Sequence, residues 1–151
     1  IEHAGTRGEP VSLLLIDLDS LKSVNDRWGH QVGSASLRHI ARLVRESKRS
    51  DDLAARWGGD EFTILMPGAD ENAAARLARE IVEKVRVSPV EHQGATYPVT
   101  VTIGVATAIA PPPDFNIFGL ADRALYEGKF AGRNQFRAVT ARSGGEGSRA
   151  G

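Results

Sequence analysis

Three carboxylates stand in this chain where folding alone gives little reason for them. Asp60 and Glu61 are adjacent acids that follow the glycine pair Gly58-Gly59 and open the apolar run Phe62-Thr63-Ile64-Leu65-Met66. Asp17 closes a second apolar run, Val11-Ser12-Leu13-Leu14-Leu15-Ile16. If the two runs are neighbouring strands, the acids converge on one patch. Hard divalent cations take oxygen ligands, and Mg²⁺ is typically held by one or two carboxylates together with substrate phosphates. Carboxylates from two strand ends therefore suit Mg²⁺ bound with a nucleoside triphosphate, as in two-metal phosphoryl transfer. The plainer alternative makes Asp17 a helix cap and Asp60 and Glu61 solvated turn acids, and leaves their clustering unaccounted for. For Asp19 the plainer alternative is the better one: it is expected to cap the helix that follows.

Basic residues answer these acids. Lys129 and Arg133 lie four residues apart at the end of an expected helix, where their charge also complements the helix dipole. Against a triphosphate, Arg supplies a fork and Lys a point charge for the β- and γ-phosphates. Lys22 is a third candidate, just after the Asp17 strand, where free N–H groups of a helix start can also face phosphate.

The elements that must position these residues follow from periodicity. The run ending at Asp17 is apolar at nearly every position, the mark of a central strand buried on both faces. A helix to Gly29 should turn Leu21, Val24 and Trp28 to the core and place Lys22 and Asn25 on another stripe. A second helix is expected at about 32–48, with Leu37, Ile40, Ala41 and Val44 inward. Two β-like runs joined through Gly58-Gly59 then describe a buried hairpin with the acids at its tip. A third helix at about 70–86, a small hairpin around Gly94, a strand at 98–106, a fourth helix at 115–130 and a last strand at 135–139 complete the reading. This order predicts an α+β domain with a mixed central sheet flanked by helices. Residues 1–10 are expected to be a lead from an upstream domain, 11–139 the catalytic domain, and 140–151 a disordered tail.

Bulk properties narrow the function. A length of 151 residues fits one domain with a sizeable core. Acidic and basic residues balance at 19 each, so no global field favours a nucleic acid polymer or a membrane surface. That balance argues against a templated nucleotidyl transferase with a basic groove. There is no cysteine, which removes thiolate metal sites and disulfides.

Read in order, these motifs resemble the GGDEF family of bacterial dinucleotide cyclases. The block from Asp17 to His30 is similar to its first signature, and Arg56-Trp57-Gly58-Gly59-Asp60-Glu61-Phe62 carries its namesake motif intact. Thr102 to Ala106, Ala121 to Tyr126 and the closing Lys129 to Asn134 resemble its later blocks. The resemblance implies a fold related to nucleotide cyclases and polymerase palms, in a bacterial cytoplasmic protein. It also implies a homodimer in which each subunit brings one nucleoside triphosphate with Mg²⁺ (or Mn²⁺), and each 3′-hydroxyl attacks the other α-phosphate. Carried over by position, Asp17, the Leu18 carbonyl, Asp60 and Glu61 hold metal, with Glu61 serving the second metal or the attacking hydroxyl. Lys22, Lys129 and Arg133 contact phosphates, Leu21 belongs to the nucleotide site, and Gly58-Gly59 let the backbone approach the nucleotide.

One position departs from the family. Base choice there rests on residues matching Asn25 and position 34; the second is usually Asp, and here it is Ser34. A carboxylate accepts both donors on the Watson–Crick edge of guanine but would face a lone pair on adenine, whereas a hydroxyl both donates and accepts. Ser34 should therefore admit ATP beside GTP, as in the hybrid promiscuous (Hypr) branch, which makes cyclic GMP-AMP as well as cyclic di-GMP. The alternatives are a strict diguanylate cyclase and a catalytically silent cyclic di-GMP receptor. Arg49-Ser50-Asp51-Asp52 matches the family's inhibitory Arg-x-x-Asp motif, so Arg49 and Asp52 are expected to bind cyclic di-GMP. Arg76 and Arg79 are candidates for a supporting arginine.

Overall fold

A computed structural model of the chain describes residues 8–142 and 148–150. Eight strands and four helices follow in the order β1 (Pro10–Leu18), α1 (Leu21–Trp28), α2 (His30–Ser47), β2 (Leu53–Trp57), β3 (Glu61–Pro67), α3 (Glu71–Val87), β4 (Val90–His92), β5 (Ala95–Tyr97), β6 (Val101–Ile109), α4 (Ile117–Phe130), β7 (Gln135–Arg142) and β8 (Ser148–Ala150). The sheet order is β2-β3-β1-β6-β7-β8, with β4-β5 a separate hairpin. All pairings are antiparallel except β6 with β7, which α4 connects as a parallel crossover. The expected α+β fold with a mixed central sheet is the one observed.

Period-2 alternation divides β1 between two cores. Leu14, Ile16 and Leu18 pack with residues of α1, α2 and α3, while Val11, Leu13 and Leu15 pack with Ile117, Ala121 and Leu125 of α4. Burial on both sides explains why β1 and β6 lack polar alternation. Each fully buried Leu or Ile there contributes roughly 2 kcal/mol relative to exposure. α4 lies unusually close to β6: a Cβ on Gly104 would stand 2.1 Å from the Ala121 carbonyl oxygen, and one on Gly128 2.8 Å from Thr102 Cγ2. Those two glycines let the helix that carries Lys129 rest against the sheet.

Several expectations are corrected. Asp19 does not cap α1: Ser20 holds the cap position with φ 56° and makes no side-chain cap, and Asp19 is turned into the protein instead. Asp70 and Asn116 do cap α3 and α4, accepting from the N–H groups of Ala73 and Gly119. The hairpin is not buried on both arms, because β2 is the sheet edge and Leu53 and Trp57 are 64% and 57% exposed. Its loop spans residues 58–60, since Trp57 and Glu61 are paired. The strand expected at 98–106 begins at Val101, after Pro98, and runs on to Ile109. Part of the expected tail is strand: β7 continues to Arg142, and Ser148–Ala150 pairs with it. Most of the expected N-terminal lead lies outside the described residues. Among the described residues no helix is long and apolar enough to cross a membrane.

Candidate active site

Strand register alone brings the first two acids together. Asp17 on β1 is paired with Glu61 on β3 and with Thr102 on β6, so all three side chains emerge on the α4 face of the sheet. Asp60, in the hairpin loop, is close enough that its charge acts on both carboxyls. Arg56 braces this loop, its guanidinium donating to the Gly59 carbonyl. Gly58 needs its glycine for a left-handed φ of +65°, whereas a Cβ on Gly59 would meet nothing within 4 Å.

Lys129 reaches across from α4 to pair with Asp17 Oδ2, while Asp17 Oδ1 is buried with no hydrogen-bond partner. Burial pushes the Asp17 carboxyl above its ordinary value, Lys129 pulls it back, and Asp60 and Asp19 add to the rise. Glu61 is raised by burial and then by Asp17, with Asp60 and Asp122 adding and Lys129 opposing. Burial and mutual repulsion thus raise both carboxyls, and a cation between them would offset that cost. Among the described residues no three His, Asp or Glu side chains could hold a metal by themselves. The set nonetheless fits Mg²⁺: the donors are hard oxygens, one of them is orphaned, and substrate phosphates ordinarily supply the remaining ligands. Asp122 was not anticipated; its signal is the seven-residue spacing to Lys129, which puts both on one face of α4.

The other expected phosphate contacts are both exposed. Lys22 is exposed in the first turn of α1. Arg133 is exposed in the turn after α4, and its own N–H donates to the Gly128 carbonyl at 3.0 Å. A cleft of about 380 Å³ opens between α1 and this turn, with Ser23, Arg27, Trp28, Thr100 and Arg133 in its walls. Asp17, Asp60 and Glu61 do not line it.

A second convergence joins α1 to α2. Gly33 faces Asn25 so closely that a Cβ there would stand 1.9 Å from Asn25 Oδ1 and 3.3 Å from Leu21 Cδ1. Leu21, Asn25 and Gly33 thus meet where α1 packs on α2, and Ser34, next in the chain, is exposed on α2. Leu21 and Asn25 are half-buried, and Leu21 also packs on the core.

The Arg49 and Asp52 pair is arranged otherwise than expected. Arg49 grips Asp52 through Nε and Nη2 at 3.0 and 2.8 Å, and the Arg49 N–H donates to Asp52 Oδ2 at 2.9 Å. The Asp52 side chain has no exposed surface, while that of Arg49 keeps 46%. Here the two residues stabilise the α2–β2 turn, and Asp52 presents no free acceptor to a ligand. Arg79 stacks over Phe136 of β7 at 5.5 Å.

Comparison with known proteins places this geometry. A family model described as diguanylate cyclase, GGDEF domain, matches residues 1–135. The diguanylate cyclase DosC of Escherichia coli is 38% identical over 138 residues, covering 89% of this chain and 30% of that protein. Among solved structures, the GGDEF domain of YfiN (TpbB) from Pseudomonas aeruginosa superposes with a TM-score of 0.81 at 33% identity, covering 93% of this chain and 87% of that one. The coiled coil and GGDEF domain of DgcB from Caulobacter crescentus, solved with cyclic di-GMP, gives 0.80 at 28% identity, covering 93% and 74%. The chain spans less than half the length of the curated relatives it matches, 30% of DosC and 46% of DgcZ.

Proposed function

The chain belongs to the GGDEF family of diguanylate cyclases, and from that membership we propose that it condenses two nucleoside triphosphates into a 3′,5′-cyclic dinucleotide. The observation that carries the reading is the buried, half-satisfied Asp17 carboxylate, with Glu61 opposite it and Lys129 across it. In each of two condensations a 3′-hydroxyl gives up its proton to solvent as its oxygen bonds to the α-phosphorus of the other nucleotide. The bond from that phosphorus to the β-phosphate bridging oxygen breaks, and pyrophosphate leaves. One chain holds one nucleotide, so the reaction takes a homodimer with its sites face to face.

Asp17, the Leu18 carbonyl, Asp60 and Glu61 would hold Mg²⁺ or Mn²⁺, which when bound neutralises phosphate charge and lowers the pKa of the attacking hydroxyl. The chain's own residues do the positioning. Lys129, Arg133 and Lys22 supply cationic donors for the triphosphate, Lys129 exchanging its hold on Asp17 for one on phosphate as substrate enters. Gly59 has no neighbour that requires glycine, which leaves room for a nucleotide against the loop backbone. Leu21 and Asn25, beside Gly33, face the base, and Ser34 replaces a carboxylate that would select guanine.

Both GTP and ATP are therefore substrates, and cyclic GMP-AMP accompanies cyclic di-GMP. The test is mass spectrometry of products from equal GTP and ATP, for the wild type and for Ser34→Asp. Mixed product that shifts towards cyclic di-GMP in the variant supports the reading. Cyclic di-GMP alone from the wild type reduces it to a strict diguanylate cyclase, and no product from either nucleotide points to a receptor. Cyclic di-GMP is also the proposed ligand of the exposed face of Arg49, and the buried Asp52 would join it only where its pair with Arg49 opens.

A further inference from the structure

Asp19 lies two residues beyond Asp17, yet its carboxylate is already engaged on both oxygens. Thr102 Oγ1 donates to Oδ1 at 2.6 Å, and Thr100 Oγ1 and the backbone N–H of Asn134 donate to Oδ2 at 2.7 and 2.9 Å. The N–H of Asp19 itself donates to the Thr100 carbonyl at 2.9 Å. With three donors on a buried carboxylate, little is left for a metal or a substrate. Its position explains more than its chemistry does: it ties the end of β1 to the turn after α4, across 115 residues of sequence.

That turn is strained. Gly132, Arg133 and Asn134 have consecutive φ values of +121°, +63° and +50°. Glycine accepts this freely and asparagine tolerates it, but for Arg the left-handed region is unfavourable and persists only where the surroundings impose it. The Arg133 N–H is held by the Gly128 carbonyl, and the Arg133 carbonyl accepts from the Gln135 side chain at 3.0 Å. Both bonds stay within the local segment. The bond from Asn134 to Asp19 is the one that fastens the segment to the β1–α1 junction. Two carboxylates of one strand end thus grip the two ends of the block 129–134, Asp17 through Lys129 and Asp19 through Asn134.

We infer that Asp19 is a positioning residue of the phosphate site: through the Asn134 N–H it holds the left-handed turn that presents the Arg133 guanidinium to the triphosphate. This role rests on the cyclase reading, in which Arg133 contacts phosphate. Asp19 acts by charge-assisted hydrogen bonds to groups that are themselves buried or constrained, where an acceptor is worth most. Asparagine in its place can still offer one oxygen to Asn134 and turn its amide N–H towards the Thr102 hydroxyl, which can accept. Alanine leaves all three donors without a partner.

The experiment measures calorimetric binding of 3′-deoxy-GTP with Mg²⁺, a nucleotide that lacks the attacking hydroxyl and cannot cyclise. The proteins are the wild type, Asp19→Ala, Asp19→Asn, Arg133→Ala and the double variant Asp19→Ala/Arg133→Ala. Asp19→Ala should weaken binding about tenfold and Asp19→Asn by about two- to threefold. The double variant should bind no more weakly than Arg133→Ala alone, because Asp19 acts only through Arg133. Wild-type affinity in Asp19→Ala, or losses that multiply in the double variant, would overturn the role while leaving the cyclase reading intact. Failure of the wild type to bind 3′-deoxy-GTP would remove both. If Asp19→Ala does not fold, Asp19→Asn carries the same test: its loss must disappear in the Arg133→Ala background.

Discussion

Lys129 holds one oxygen of Asp17 and leaves the other buried without a partner. A carboxylate in that position is costly to desolvate, and Lys129, its counter-charge among the described residues, is also a candidate phosphate ligand. Lys129→Met should therefore do two things. It should lower the stability of the ligand-free protein at neutral pH by about 1–3 kcal/mol, since it leaves a buried charge unpaired. It should also raise the KM for GTP. Urea unfolding with and without Mg²⁺ checks the first effect, with Mg²⁺ recovering part of the loss.

Glu61 gives a prediction of opposite sign. Burial first, then the charges of Asp17 and Asp60, raise its carboxyl above the ordinary value. A carboxyl raised in the folded state binds its proton more tightly there than in the unfolded chain. Stability therefore falls as pH climbs from the ordinary carboxylate range through the raised value, and levels off above it. Asp17 shifts in the same direction. Glu61→Gln should raise the neutral-pH melting temperature by about 2 °C, with the gain shrinking towards about pH 4. Thermal scans across pH, repeated with Mg²⁺, check this. The metal should stabilise the wild type more than the variant.

Gly33 makes the placement of Asn25 testable without replacing Asn25 itself. A Cβ 1.9 Å from Asn25 Oδ1 must displace that side chain. Gly33→Ala should raise the KM for GTP roughly tenfold, at a stability cost of about 1–3 kcal/mol. An unchanged KM would mean that the placement of Asn25 does not matter for the base.

Asp60 separates chemistry from folding. It stands in the hairpin loop, half-exposed, and its charge raises both neighbouring carboxyls. Asp60→Ala should cut pyrophosphate release by about 100-fold or more while leaving the melting temperature equal or higher. A fall in stability comparable to that of Lys129→Met would contradict this placement.

The acid cluster was legible because Asp17 and Glu61 terminate apolar runs, and antiparallel pairing makes run ends meet. Exposure of the strand bearing Trp57 was not, because alternation identifies a strand without saying whether a neighbour lies beyond it. Asp19 reads as a cap in the sequence for a related reason. Its local context is that of a cap, while the groups that hold it are Thr100, Thr102 and Asn134, set by tertiary contact. Arg49 and Asp52 have spacing that suits a ligand and equally suits each other, and the fold pairs them. Ser34 is the converse: its exposure is plain, and its meaning lies in the chemistry of the base it would face.

The most direct test is product analysis with the wild-type chain, Mg²⁺ and equal GTP and ATP, with Asp60→Ala as control. The expected result is pyrophosphate release with both cyclic GMP-AMP and cyclic di-GMP, absent from the control. Cyclic di-GMP without any adenine-containing product would contradict the role given to Ser34, and no pyrophosphate release at all would contradict the cyclase itself.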